Sequence, residues 1–334
     1  MAPMTRSRAN TEGVPSPLAV DYYRQRASAG LLITEATQTS PLAQGYARTP
    51  GMHTDAQAAA WKTVVDHVHA AGGRIFLQLF HVGRISHAAN RTVKDAPVAP
   101  SAIRAAGTVW TDALQMQPFD EPRALDTAEI PGVVAEFADA TRRAISVGFD
   151  GVELHAASGY LHMQFLSSGA NHRTDQYGGS AANRARFVVE TLEAMIAAAG
   201  SASRIGIKIS PYMAFNDISD GNPAETYSTL TRAIDPLGLA YLHIMRWPQT
   251  NVAAELRPLF HGPLLLGGGF DGPSAEASLQ ADEADAIVIG KWFLSNPDLV
   301  TRIEKSAELT APDSSTFYTP GPKGYIDYPA LAGA

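Results

Sequence analysis

Short apolar runs alternate with longer amphipathic stretches along most of the chain. The short runs are Leu31 to Thr34, Arg74 to Phe80, Gly151 to His155, Ile205 to Ser210, Ala240 to Met245, Leu264 to Gly267 and Ala286 to Gly290. Each is brief and rich in Ile, Leu or Val, as parallel strands buried on both faces are. Met1 to Met4 reads as the end of one earlier strand. Helical patterns fill the gaps over 18–28, 56–71, 133–147, 181–199, 224–234, 252–260, 274–280 and 298–307. Thr54-Asp55 and Pro131 are start signals, and Gly72, Gly148 and Gly200 follow helix ends. Strict alternation of strand and helix predicts an α/β fold, a closed (β/α)8 TIM barrel, as a single domain over residues 1–334.

One long interruption runs from about residue 81 to 130, between the third strand and its helix. Pro97, Pro100, Pro118 and Pro122 make it too irregular for another strand–helix unit. Insertions after a barrel strand lie over the catalytic face, and this one is expected there.

Composition narrows the partners. The 334 residues carry a net charge of −7, with no basic field for nucleic acid. The absence of Cys excludes disulfides, thiolate metal sites and a Cys nucleophile. No apolar run approaches the roughly 18 residues of a membrane span, and the N-terminus lacks the apolar region of a secretory signal. The expectation is a cytoplasmic protein, monomer or homo-oligomer, acting on a small molecule.

Barrel enzymes work at the C-terminal ends of their strands. Those ends carry Thr5, Glu35-Ala36, Gln78, His155, Lys208, His243, Gly267-Gly268-Gly269 and Gly290-Lys291. The set offers hydrogen-bonding groups and cations but no carboxylate cluster for metal or glycosidic chemistry, and no metal is expected. The glycine turns after the last two strands are where many barrels hold a phosphate on backbone N–H groups. Lys208 lies inside an apolar strand, where a charge needs a partner.

The segment His155-Ala156-Ala157-Ser158-Gly159-Tyr160 is followed by 171–180 (NHRTDQYGGS) and 183–187 (NRARF). Supporting segments are 1–8 (MAPMTRSR), 33–36 (ITEA), 77–84 (LQLFHVGR), 295–300 (SNPDLV) and 324–329 (GYIDYP). In this combination and order the chain resembles the Old Yellow Enzyme family of FMN-dependent NAD(P)H oxidoreductases, or ene-reductases, from its first residue nearly to its last.

The resemblance implies a flavin lying across the barrel mouth with its phosphate at Gly268, Gly269, Gly290 and Lys291. Pro3, Met4 and Thr5 match the segment lining the flavin ring, and Ala36 matches a backbone contact to its O4–N5 edge. Gln78 matches the amide at the pyrimidine end, and Lys208 matches the cation beside N1–C2=O. His155 and Ser158 match the pair that grips the substrate oxygen, Tyr160 the proton donor, and Tyr318 an aromatic at the mouth. The implied reaction is reduction of the activated C=C bond of an α,β-unsaturated carbonyl or nitro compound, with NADPH or NADH as reductant.

Several positions depart from the family. Ser158 stands where Asn or His is usual, Lys208 and Lys291 where Arg is usual, and Phe80 where Trp is often found. The chain begins inside the family's first strand, and the segment 246–254 is short. On the residues alone two other readings stay open. One is a flavin-binding barrel with little turnover, and the other a flavin-free phosphate-binding barrel enzyme.

Overall fold

Seven of the predicted runs form one parallel sheet in a computed structural model that describes residues 1–246 and 251–331. In order across the sheet they are Leu32–Ile33, Ile75–Phe80, Gly151–Ala156, Ile205–Ile209, Tyr241–Met245, Leu264–Gly267 and Ala286–Val288. Chain order and sheet order coincide, as right-handed strand–helix–strand crossovers in a barrel require. The interior strands are buried on both faces, which explains their continuous apolar composition.

Met1 to Met4 is not a regular strand, a correction to the expected ladder. It is an extended segment bonded to both edges of the sheet. The Ala2 N–H donates to the Ile289 carbonyl (2.9 Å), and the Met1 carbonyl accepts from the Ile33 N–H (3.2 Å). Those bonds join the first and last strands and close the TIM barrel. Thr37–Gln38 adds a short pairing beside Leu79 and Phe80. Below Met1 a cavity of about 360 Å³, lined by apolar side chains including Leu31, Ile33, Ile287 and Ile289, separates the flanking strands.

Outer helices follow the sequence pattern closely where capping is strong. Ala181–Ala199 starts at Ser180, whose hydroxyl accepts from the Asn183 N–H, and ends at left-handed Gly200. A reciprocal Thr54–Gln57 capping box starts Asp55–Ala70. Two of the later predicted helices are shorter, at Val252–Leu256 and Leu299–Glu304, and the one between them spans Gly272–Gln280. Leu161–Leu166 is an unpredicted helix, buried on every side and so without an amphipathic period. Part of the segment 246–254 lies outside the described residues.

The stretch 81–130 contains a hairpin, Thr108–Thr111 against Gln115–Pro118. Its Val109, with Ala105 and Phe119, packs in one apolar cluster with Ala36, Phe80, Val82 and Ile85, and Tyr46 and Tyr160 lie against that cluster.

The C-terminal segment that carries Tyr318 is held by arginines from the start of the chain. Arg6 donates to the carbonyls of Gly324 and Phe317, and Arg8 to those of Gly321, Thr316 and Lys323. Arg48 joins Ser7 to Tyr318 in the same way. Between these arginines and Arg26, Tyr22 and Tyr325 stack at 4.2 Å, with the Arg8 guanidinium 4.4 Å from the Tyr325 ring.

Glu35 sits against this cluster and accepts from the Arg6 N–H (3.0 Å). Burial pushes its carboxyl up to about 7, against the opposing pull of that N–H and the Arg6 and Arg8 charges. A carboxyl raised on folding stabilises below its unfolded pKa and loses that contribution as pH rises through the folded value. Stability from this group therefore falls between about pH 4.5 and 7. Glu35→Gln keeps an acceptor and removes the proton linkage. Denaturation midpoints at pH 5 and pH 8 should differ less in the variant than in the parent, by the equivalent of roughly 1–3 kcal/mol. An unchanged difference would show that Glu35 titrates normally.

Candidate active site

Parallel register brings the polar residues of neighbouring strands side by side. Gln78 pairs with Glu153, His155 with Lys208, and Lys208 with His243. Glu153 is fully buried and accepts from Gln78 Nε2 (2.6 Å) and from His243 Nδ1 (2.9 Å). Burial alone would raise its carboxyl, yet His243, Lys208 and Gln78 hold it below the ordinary carboxylate range. Burial also lowers His243, so a neutral imidazole donates its Nδ1 proton to an ionised Glu153.

Glu153 escaped the sequence reading because it is one letter inside an apolar strand. An acid within a run such as Gly151–His155 is itself the signal, since a buried carboxylate must have partners.

Lys208 is buried, and no carboxylate of the described residues lies within ion-pair distance of its ammonium. Burial lowers its pKa, opposed by the charge of Glu153. With Gln78 Nε2 committed to Glu153, the outer end of the Gln78 amide is its carbonyl oxygen, an acceptor. A buried cation and an acceptor on the two strands that flank Glu153 suit a ligand that carries both an anionic locus and an N–H group.

At the last two turns Gly268 has φ +114 and Gly269 φ +79. A Cβ on Gly268 would lie 2.7 Å from the Arg246 carbonyl, so the close turn needs glycine. Arg246 also donates from Nε to the Gly268 carbonyl (3.0 Å), a cation at this turn that the sequence reading did not single out. Gly290 packs against Ala2 and Met4 and precedes the short helix Lys291–Ser295, where Lys291 is exposed. Pro3, Met4 and Thr5 are half-buried along the same edge. The residues that the resemblance assigns to a flavin thus lie at strand ends around one end of the barrel, and their chemistry would fit FMN: a glycine cradle and cations for phosphate, an amide and a buried ammonium for the ring.

His155, Tyr160 and Phe80 form an aromatic group above this floor. The His155 ring stacks on Phe80 and meets Tyr160 edge-on, with centroids 6.2 and 4.9 Å apart. Burial pushes His155 well below its ordinary range, helped by the charge of Lys208. The Ala157 N–H donates to His155 Nδ1 (3.3 Å), which leaves the Nε2–H as the free donor of a neutral ring.

Ser158 adopts a left-handed conformation (φ 58) and is not hydrogen-bonded to His155. Its backbone is fixed instead, with the N–H on Ser210 Oγ and the carbonyl on Asn216 Nδ2, each 2.8 Å. Gly159 lets the loop 215–216 approach, since a Cβ there would meet the Phe215 carbonyl at 2.7 Å. Tyr318 is exposed, but its phenol is close enough to add to the upward shifts of Tyr46 and Tyr160. Tyr46 and Asn216 belong to this group and were missed, because both come from irregular loops.

Comparison with known proteins finds relatives over nearly the whole chain. Residues 1–310 match the NADH:flavin oxidoreductase / NADH oxidase family. A 12-oxophytodienoate reductase 1 of Oryza sativa subsp. japonica is 42% identical over 99% of this chain and 88% of its own length. A probable flavin mononucleotide-dependent alkene reductase of Leishmania infantum is 40% identical over 99% of this chain and 93% of its own. Among solved structures, morphinone reductase in complex with tetrahydroNAD superposes with a TM-score of 0.95 at 46% identity, covering 100% of this chain and 93% of that one. The old yellow enzyme homologue from Zymomonas mobilis gives 0.96 at 39% identity, over 99% and 95%. The chain belongs to the NADH:flavin oxidoreductase / NADH oxidase family, the Old Yellow Enzyme family of FMN-dependent ene-reductases.

Proposed function

We propose that this protein reduces the activated C=C bond of α,β-unsaturated carbonyl or nitro compounds, with Tyr160 as the acid and His155 as the oxygen-binding donor. The observation that carries the reading is the pairing of a neutral imidazole with an intact phenol, edge to face at 4.9 Å, at the end of one strand. FMN, when bound, would supply the redox chemistry that carries a hydride equivalent from NADPH or NADH to the β-carbon of the alkene. Pro3, Met4, Thr5, Ala36, Gln78 and Lys208 would hold its ring, and Gly268, Gly269, Gly290 and Lys291 its phosphate, with Arg246 beside them. The insertion 81–130 walls one side of the pocket, and Phe80 and Tyr318 bound it.

The division of labour follows from charge. Negative charge grows on the substrate oxygen as the β-carbon is reduced, and the His155 Nε2–H stabilises it most where it is largest. Burial pushes Tyr160 well above its ordinary range, so the phenol is protonated at neutral pH and available to the α-carbon.

Tyr160→Phe should slow alkene reduction roughly 10²–10⁴-fold while reduction by NAD(P)H stays near the parent rate. Stopped-flow traces of the two half-reactions separate these steps, and equal slowing of both, or of neither, contradicts the role.

Lys208→Met should slow reduction by NAD(P)H, because negative charge develops beside this position as the ring is reduced. The loss should be about ten- to a hundredfold, the scale of one charge-assisted hydrogen bond. Retention of the parent reduction rate would place Lys208 elsewhere.

Ser158→Asn tests the oxygen site. Asn tolerates the left-handed backbone at this position and adds a donor beside His155. Phenol binding, read from the long-wavelength charge-transfer band, should tighten about ten- to a hundredfold. If it does not, the oxygen is held away from position 158.

A further inference from the structure

The Tyr160 hydroxyl lies 3.1 Å from the Tyr46 hydroxyl, with Tyr160 donating, and the two rings meet edge-on at 6.1 Å. Tyr46 comes from the loop after Pro41–Ala43, well removed in sequence from the strand end that carries His155 and Tyr160. Asn216 reaches the same place from a third element. Its amide donates to the Ser158 carbonyl (2.8 Å), two residues before Tyr160, while burial raises both phenols in pKa. Asn216 is held with φ 59, between left-handed Tyr212 and Asp217. The strain of three such residues in one short turn indicates a conformation imposed by its surroundings. Arg84, itself buried, donates to the Asp217 carbonyl and fixes the turn from below.

The acid proposed above has a specific difficulty. Once Tyr160 gives up its proton, a phenolate is left in a largely desolvated pocket, where an uncompensated charge is costly. The groups packed against that phenol are Tyr46, the His155 ring and Phe80, with Asn216 and Tyr318 beyond them. Of these, Tyr46 is the hydroxyl already within hydrogen-bond distance. It is also half-buried, so part of the residue meets solvent. Burial keeps both phenols protonated at neutral pH, so Tyr46 has a proton to give. A hydroxyl can rotate from acceptor to donor without moving its oxygen.

We propose that Tyr46 acts through Tyr160 as a proton relay in which both protons move together, with Asn216 fixing the turn just before Tyr160. The inference rests on the assignment of Tyr160 as the acid. As the Tyr160 O–H breaks and a C–H bond forms at the α-carbon, the Tyr46 O–H swings to the Tyr160 oxygen and its proton transfers there. The Tyr46 oxygen then takes a proton from water at the mouth. The net result is one solvent proton delivered to carbon, with no change in oxidation state at either tyrosine.

The test combines Tyr46→Phe, Tyr160→Phe and the double variant in the FMN-loaded protein, measuring reoxidation by an unsaturated ketone in H2O–D2O mixtures. Tyr46→Phe should slow this half-reaction about ten- to a hundredfold, the scale of one hydrogen bond to a developing charge. In the Tyr160→Phe background the same change should have no further effect. The rate should depend on deuterium fraction with curvature in the parent, for two moving protons, and linearly in Tyr46→Phe. Labelled [13Cζ]tyrosine spectra of the protein without flavin supply a readout independent of turnover. The Tyr160 signal should shift in Tyr46→Phe and stay in place in Tyr212→Phe.

A linear dependence in the parent, or equal slowing by Tyr46→Phe in both backgrounds, overturns the relay and leaves Tyr160 as the acid. Full activity of Tyr160→Phe instead overturns the underlying assignment.

Discussion

A carboxylate with no access to water sets the arrangement of the barrel mouth. Glu153 lies inside the strand Gly151–Ala156, and its charge must be answered from neighbouring strands. Gln78 and His243 supply the hydrogen bonds and Lys208 the opposing charge. Because parallel register fixes these partners, the carboxylate orients the Gln78 amide and the His243 tautomer together. Lys208 supplies the counter-charge from beyond ion-pair distance, which leaves its ammonium for a ligand at the mouth. One buried charge thereby prepares two of the groups proposed to meet the flavin ring.

The layer above works by the absence of charge. His155 and Tyr160 are pushed by burial toward neutral forms, so the pocket presents an N–H donor and an O–H donor rather than ions. Such a site discriminates by geometry. In the proposed reaction it would favour a substrate whose oxygen accepts from the imidazole while its α-carbon lies under the phenol. The loop 212–217 and the insertion 81–130 hold this layer in place from outside the barrel, through Asn216 and through the apolar cluster around Phe80. The scaffold therefore offers a charged floor, where the cofactor is proposed to lie, and a neutral roof, where an uncharged alkene is proposed to bind.

Much of this was legible in the sequence. Buried parallel strands are short and apolar throughout, and strand ends in a barrel point to one face, so Gln78, His155, Lys208 and the glycine turns could be placed together from order alone. The helix Ala181–Ala199 was legible because both its caps are encoded locally. What was not legible depends on tertiary contacts. Met1–Met4 pairs through too few bonds to be a strand, and the helix Leu161–Leu166 has no polar face. Tyr46 and Asn216 gain meaning only from a 3.1 Å contact and a 2.8 Å hydrogen bond that join distant loops. Glu153 was visible but unremarked, although an acid in an apolar strand is a request for partners.

The proposed role of this mouth is to pass electrons from a nicotinamide to an alkene. It is tested most directly by following the visible spectrum of the FMN-loaded protein without oxygen through one cycle. NADPH or NADH should bleach the flavin band, and one equivalent of an α,β-unsaturated ketone should restore it with formation of the saturated ketone. A flavin that bleaches but is not reoxidised by ketones, enals or nitroalkenes would contradict the account.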